Sequence, residues 1–242
     1  MNAPYGLEVI ENCVNCGLRK ENAFCNLSLN VLMTFNEISH QHAYPGGSLL
    51  FAEGHVARGA FVLCSGKVKL STTSREGKVL ILKIADAGEM LGLSAAISGV
   101  PYEVTATTAS PCRLNFLKTE ALVNFVMRHG EAGLRAVRAV SKEYQDACQG
   151  IQEILLAPSS AGKIAKLLLS WSNNRNGSNP GKDKNAVRVR SVLTHEEIAQ
   201  MIGASRETVT RVLSQLRRKQ LISVEGATLV IRNRMGLEEL AS

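Results

Sequence analysis

No run of about 18 apolar residues occurs in the 242-residue chain, so a membrane-spanning helix is not expected. Met1 to Glu11 has no basic stretch followed by an apolar core, the mark of a secretory leader, which leaves the cytoplasm as the expected location. No Gly-rich phosphate loop, nucleophile elbow or metallohydrolase spacing appears, so an enzyme is not expected either. His40, His42, His55, His129 and His195 show no metal-ligand spacing.

What is present is first an ordinary globular composition, 45% hydrophobic and 20% charged. The net charge of +7 is not evenly spread. From Lys163 onward there are 14 Lys and Arg against 7 Asp and Glu, whereas before Lys163 the counts are 14 and 14. The excess positive charge therefore lies in the last third, the electrostatic footprint of a region that meets a polyanion. Six cysteines are present, Cys13, Cys16, Cys25, Cys64, Cys112 and Cys148. In a reducing compartment they are not expected to form structural disulfides.

Along the chain, a polar cysteine-bearing segment covers residues 1–26, and Leu27 to Ile38 reads as a short helix. From Ala43 to Phe116, short apolar runs such as Ser48–Phe51, Ala60–Leu63, Val68–Leu70 and Val79–Leu82 alternate with glycine turns. Strands at that spacing predict an all-β sandwich or roll, with Cys64 in its core. Helical periodicity returns after Thr119. Val137, Ser141, Tyr144, Cys148, Ile151 and Leu155 alternate steps of four and three, widened by Val140, Ala147 and Ile154. That heptad stripe predicts a seam against another helix, in the same chain or in a second copy, with the homodimer preferred. Cys148 acts there as a small hydrophobe. Pro158 ends the helix, Lys163 to Trp171 starts another, Ser172 to Asn185 reads as a surface loop, and Val187 to Val192 as a strand.

The most specific stretch is Leu193 to Leu213. Thr194 and Glu197 form a capping box that opens a helix, and Ile198, Ala199 and Ile202 give it a buried face. Gly203 ends it, and Ser205 caps a second helix. On that helix Val209, Val212, Leu213 and Leu216 face inward, while Arg206, Glu207, Thr210 and Arg211 share the opposite face near its start. This is the end of a recognition helix that enters the major groove of double-stranded DNA. An Arg fork suits guanine and a Glu carboxylate suits cytosine N4. Arg217, Arg218 and Lys219 suit phosphates, and His195 is placed near a phosphate or as plain surface. Leu221 to Val224, Glu225-Gly226 and Thr228 to Ile231 read as a hairpin, the wing.

Leu193 to Leu213 resembles the C-terminal domain of the Crp/Fnr family of regulators, and the order of elements matches over nearly the whole chain. Tyr44-Pro45-Gly46-Gly47 through Phe51-Ala52-Glu53-Gly54, Gly66-Lys67-Val68-Lys69 and Gly88-Glu89 resemble that family's cyclic-nucleotide-binding β-roll. The resemblance implies an α+β fold: a cysteine-bearing arm (1–26), a cyclic-nucleotide-binding-like β-roll sensor (27–130), a long dimerisation helix (131–157) and a winged helix-turn-helix (158–242). It implies a homodimer on a palindromic operator, with RNA polymerase as a further partner. Arg206, Glu207 and Arg211 would read a TGA-like half-site, and Arg206 would add a preference for a second guanine. Ser205, Thr210 and Lys219 complete the expected DNA contacts.

The sensed signal stays open among several chemistries. Family members that bind cyclic AMP follow the Gly-Glu turn with an Arg-Ser pair. Here Tyr102-Glu103 replace it, and a carboxylate repels a phosphate, so a cyclic nucleotide is not expected. Glu89 is kept and suits a ribose hydroxyl. Cys13-x-x-Cys16 and Cys25 precede the roll, and Cys112 falls where the Fnr branch has its distal cluster ligand. By that resemblance Cys13, Cys16, Cys25 and Cys112 hold a [4Fe–4S] cluster, placing the chain nearer the Fnr branch. The same spacing suits a zinc site or a thiol switch. A small-molecule effector in the roll, with Phe24 to Ser28 merely packing the arm on it, is the remaining alternative.

Overall fold

Strand alternation and glycine turns between residues 40 and 118 produce two four-stranded antiparallel sheets. The strands are β1 (His40–Tyr44), β2 (Leu49–Phe51), β3 (Gly59–Ser65), β4 (Val68–Thr73), β5 (Val79–Ala85), β6 (Met90–Leu91), β7 (Thr105–Thr108) and β8 (Cys112–Lys118). One sheet has the order β1-β8-β3-β6 and the other β2-β7-β4-β5. The computed structural model describes residues 4–7, 12–17, 23–157, 159–173, 187–190, 193–225 and 228–241. The expected loop between 174 and 185, Pro158, Ser191-Val192 and the Gly226 turn of the wing lie outside the described residues, as do the side chains of Ile154 and Leu155.

The chain divides into two compact units, Met1–Asp146 and Ala147–Ser242. In the first, period-two alternation gives the β1-β8-β3-β6 sheet two different faces. Phe61 and Leu63 of β3 and Cys112 and Leu114 of β8 point into the roll, where they pack with Phe51, Val68 and Ala106 of the other sheet. Ala60 and Val62 of β3 and Leu117 of β8 point outward. They pack under α1 (Leu29–Ile38), α3 (Thr119–Arg128) and the start of α4 (Gly130–Leu156), with Phe24, Leu27, Phe35 and Phe125 closing that second core. The short helix α2 (Leu93–Ser98) fills the gap after β6.

The cysteine-bearing arm is built into this unit. Phe24 is buried against Phe35, ring centroids 6.0 Å apart, and its N–H donates to the Gly88 carbonyl at 3.3 Å. At the entrance to α1 the Ser28 N–H and hydroxyl both donate to the Glu131 carboxylate, the hydroxyl at 2.7 Å. Those bonds hold the Glu131 carboxyl below its ordinary range.

The second unit packs α5 (Ser160–Asn173), α6 (His195–Ile202), α7 (Arg206–Arg218) and α8 (Arg234–Ala241) beside a three-stranded sheet. That sheet is ordered β10-β11-β9, from Ile222–Glu225, Thr228–Ile231 and Val187–Arg190. Ile164, Leu168, Ile198, Ile202, Val212, Leu216, Ile222 and Ile231 form its core. Helix α8, absent from the sequence reading, contributes only Leu237 to the fully buried set.

Candidate functional site

The reading surface is assembled from local rules. The Thr194 hydroxyl accepts from the Glu197 N–H at 3.2 Å, and the Glu197 carboxylate accepts from the Thr194 N–H at 2.8 Å, so the capping box is complete. Gly203, at φ +67°, ends α6 in a left-handed conformation that costs other residues, and the chain turns at once into α7. The Ser205 hydroxyl accepts from the Thr208 N–H at 3.2 Å. Val209, Val212, Leu213 and Leu216 are buried as the helical period requires. Arg206, Glu207, Thr210 and Arg211 are exposed together at the start of α7, with Arg217, Arg218 and Lys219 exposed at its end.

Two of these side chains are committed to the frame. Ser205 is the cap, and the Thr210 hydroxyl donates to the Arg206 carbonyl at 2.9 Å. With its proton so placed, the Thr210 oxygen accepts from His195 Nδ1 at 2.9 Å, an assignment of the ring tautomer that follows from the hydroxyl's bond. His195 thereby braces the first helix against the second, a link the sequence reading did not find. Glu207 keeps its carboxyl below the ordinary range through its own backbone N–H, then the Ser205 hydroxyl and nearby Arg206. It is therefore an ionised acceptor at neutral pH.

On α4, Val137, Tyr144 and Ile151, seven residues apart, are 62, 72 and 58% exposed, with Leu134 and Ser141 exposed beside them. Among the described residues, Val137, Tyr144 and Ile151 are therefore largely solvent-facing, whereas Val140 packs against the core of the first unit.

The interior of the β-roll is filled by its own side chains where a nucleotide would be sought. Tyr102 stacks on Phe51 at 4.1 Å and 17°, and its hydroxyl donates to the Gly59 carbonyl at 2.7 Å. Glu103 accepts from the Ser94 hydroxyl at 3.1 Å. Glu89, expected to suit a ribose, is held by Lys83 at 2.5 Å, and Lys83 also pairs with Asp146 of α4 at 2.6 Å. These carboxylates gather near Glu143, whose own carboxyl is pushed up to about 7, chiefly by burial.

The cysteines do not gather as expected. The Cys112 thiol lies on the inner face of β8, fully buried, donating to the Ser110 carbonyl at 3.1 Å and the Lys67 carbonyl at 3.2 Å. Gly66 is packed so closely over it that a Cβ there would stand 2.6 Å from the sulfur. Cys13 and Cys25 instead pack on the outer face of the same sheet. Cys13 Sγ accepts from Asn115 Nδ2 at 3.1 Å, and its backbone N–H donates to Asn36 Oδ1 at 2.8 Å. The set Cys13, Cys16, Cys25 and Cys112 therefore does not fit a [4Fe–4S] cluster, because the sheet itself separates its fourth member from the other three. Cys64, expected to be core, is only partly exposed on β3, and burial, with smaller contributions from the charges of Cys13 and Cys25, pushes its thiol up to about 12. Among the described residues, no group of three or more His, Cys, Asp or Glu is placed to hold a metal ion as they stand.

Residues 41–129 match the cyclic nucleotide-binding domain family and residues 162–240 the Crp-like helix-turn-helix domain family. The CRP-like cAMP-activated global transcriptional regulator of Mycobacterium tuberculosis is 29% identical over 188 residues, which is 78% of this chain and 82% of that protein. The cAMP-activated global transcriptional regulator CRP of Haemophilus influenzae is 25% identical over 202 residues, 83% of this chain and 88% of that one. Among solved structures, FixK2 from Bradyrhizobium japonicum superposes with a TM-score of 0.73 at 18% identity, covering 85% of this chain and 98% of that one, a likeness of fold. Among the described residues no helix is long and apolar enough to cross a membrane.

Proposed function

We propose, taking as premise that this chain belongs to the Crp/Fnr family of transcription regulators, that it binds a palindromic operator as a homodimer and answers to redox state or oxygen through its N-terminal thiols. The observation that carries the DNA reading is the start of α7. Arg206, Glu207 and Arg211 project from a doubly capped, fully packed frame, with no apolar side chain among them. Arg206 and Arg211 offer guanidinium forks to guanine and Glu207 a carboxylate to cytosine N4, while Lys219 and the α7 C-terminus meet phosphates. The exposed α4 stripe supplies the dimer seam, and the two α7 helices then face half-sites about one DNA turn apart. Once docked, the dimer presents its remaining surface to RNA polymerase.

The relatives named above are cAMP-activated, and cyclic AMP is the second reading. Three features of the roll oppose it: Tyr102 stacked inside, Glu103 in place of a cation, and Glu89 already paired with Lys83. A thiol group offers instead bound metal or reversible oxidation. Selection of operator fragments by the purified protein, prepared without air and repeated after air exposure and with added cyclic AMP, tests these readings together. A palindrome recovered best without air, and indifferent to cyclic AMP, is the expected result. A palindrome recovered only with cyclic AMP would replace the thiol reading with the nucleotide one.

A further inference from the structure

On the exposed face of α7, one side chain carries a group that neither the frame nor charge explains. Every other exposed side chain of that helix ends in a charge, an amide or a hydroxyl, whereas Thr210 also carries a methyl. Its hydroxyl is already occupied. The one proton of that hydroxyl lies on the Arg206 carbonyl at 2.9 Å, and its oxygen accepts from His195 Nδ1 at 2.9 Å. No proton is left to donate to guanine or to thymine O4, and the imidazole stands beside the remaining lone pair. Nor does a threonine serve the helix here. Its β-branch loses rotamer freedom, and a bond to the carbonyl four residues back slightly weakens a helix. Ser214 makes the same bond, to the Thr210 carbonyl at 2.8 Å, without a methyl. What Thr210 adds to the face it shares with Arg206, Glu207 and Arg211 is therefore the methyl.

We propose that Thr210 reads the operator through this methyl, packed on the 5-methyl of one thymine in each half-site, and that His195 is the positioning residue that holds it in that role. The inference deepens the DNA reading above and rests on it. In the major groove thymine alone presents a methyl, and the threonine methyl is one of the apolar groups that recognise it. A threonine whose hydroxyl is free reads less sharply, because it rotates to donate to or accept from several bases. His195, the first residue of α6, removes that freedom by holding the hydroxyl from the neighbouring helix. The discrimination is displayed by α7 but built by both helices.

The test starts from the operator that the full-length wild type selects without air. Each thymine of the half-site is replaced in turn, in both halves, by deoxyuridine, which pairs identically and lacks only the methyl. Fluorescence anisotropy then gives the ratio of affinities for the thymine and uracil forms. It is measured for wild type, Thr210→Ser, Thr210→Val, His195→Ala and His195→Asn, each checked for folding by circular dichroism. One thymine is expected whose replacement weakens wild-type binding about fourfold per half-site, the worth of one buried methyl. That preference should disappear in Thr210→Ser, which keeps the hydroxyl, and persist in Thr210→Val, which keeps the methyl. His195→Ala should lower it, and His195→Asn, which keeps a donor near the Nδ1 position, should restore it. If His195→Ala weakened both forms alike and left their ratio untouched, the positioning role would be overturned. Wild type that binds its palindrome tightly yet ignores every uracil, or Thr210→Ser that still discriminates, would overturn the methyl contact while the DNA reading stands. Wild type that selects no operator would overturn the DNA reading itself, and this inference with it.

Discussion

The side chains proposed to read DNA all lie between Ser205 and Lys219 on one helix and its cap, whereas the thiols of the N-terminal unit arrive from four places: a turn at Cys13–Cys16, the segment before α1, strand β3 and strand β8. The first arrangement is a local device. Its frame is set by caps and a helical period, and its working groups are those the frame does not use. The second is a product of topology, and which of its members share surroundings depends on which face of one sheet each takes. The difference teaches that a local device tolerates single substitutions one at a time, while a topological one couples residues that no spacing relates.

The sharpest way to break the comparison is at α4, which belongs to both units. Ile151→Glu places a carboxylate in the proposed seam of each copy, where an unpaired buried charge costs about 3–5 kcal/mol. Sedimentation should show monomer and DNA affinity should fall steeply, yet circular dichroism should stay unchanged because the α7 frame does not depend on the seam. An unchanged dimer would place the seam elsewhere.

Next in size, Arg206→Ala should cost roughly 1–3 kcal/mol and relax a single operator position, and Lys219→Ala should weaken all sequences alike and lower the salt slope by about one. Fluorescence anisotropy on a panel of single-base operator variants at several salt concentrations separates the two. If Arg206→Ala weakened every sequence equally, its fork would be on a phosphate.

On the N-terminal side the matching test is Glu143, which faces Lys83, Glu89, Glu103 and Asp146. Its carboxyl rises from 4.5 to about 7 in the folded protein. The proton therefore binds the folded state more tightly than the unfolded one. The stability this contributes is present in full below pH 4.5 and is lost as pH rises through about 7. Glu143→Gln should abolish that slope, worth on the order of 1–2 kcal/mol after allowance for partial exposure. Urea melts at pH 5 and 8 on both proteins would show it, and parallel curves would mean the group is solvated.

Smallest is Ser205→Ala, which removes the α7 cap. It should lower stability by about 1 kcal/mol while leaving operator preference intact, since the structure gives Ser205 a role in the frame. A change in base preference would return Ser205 to the reading surface.

This contrast also decides what could be read from sequence. Both ends of α6 and the start of α7 were legible to the residue because Thr194, Glu197, Gly203 and Ser205 are punctuation within one short stretch. The strands β2 to β5 were legible in outline from their apolar runs. Strand β1, His40–Tyr44, was not, because it has no alternation of its own and exists through pairing with β8. Cys112 was assigned from resemblance, and the pleat of β8 turned it inward. Cys64 was read as core, and its partly exposed place depends on parity along β3 and on a bulge, neither of which leaves a mark in the residues. The bond between His195 and Thr210 was missed for the same reason, as it joins two helices 15 positions apart.

The bond between Cys13 and Asn115 spans 102 residues. At synthesis rates of about 5–20 residues per second, the intervening chain takes roughly 5–20 s to be made. Throughout that interval β8 does not exist, β1 and β3 lack their shared neighbour, and the arm has no sheet to lie on. Contacts of such high sequence separation are also late to form once the chain is complete. The first three thiols therefore stay open to solvent for seconds before the sheet that Cys13 lies against exists.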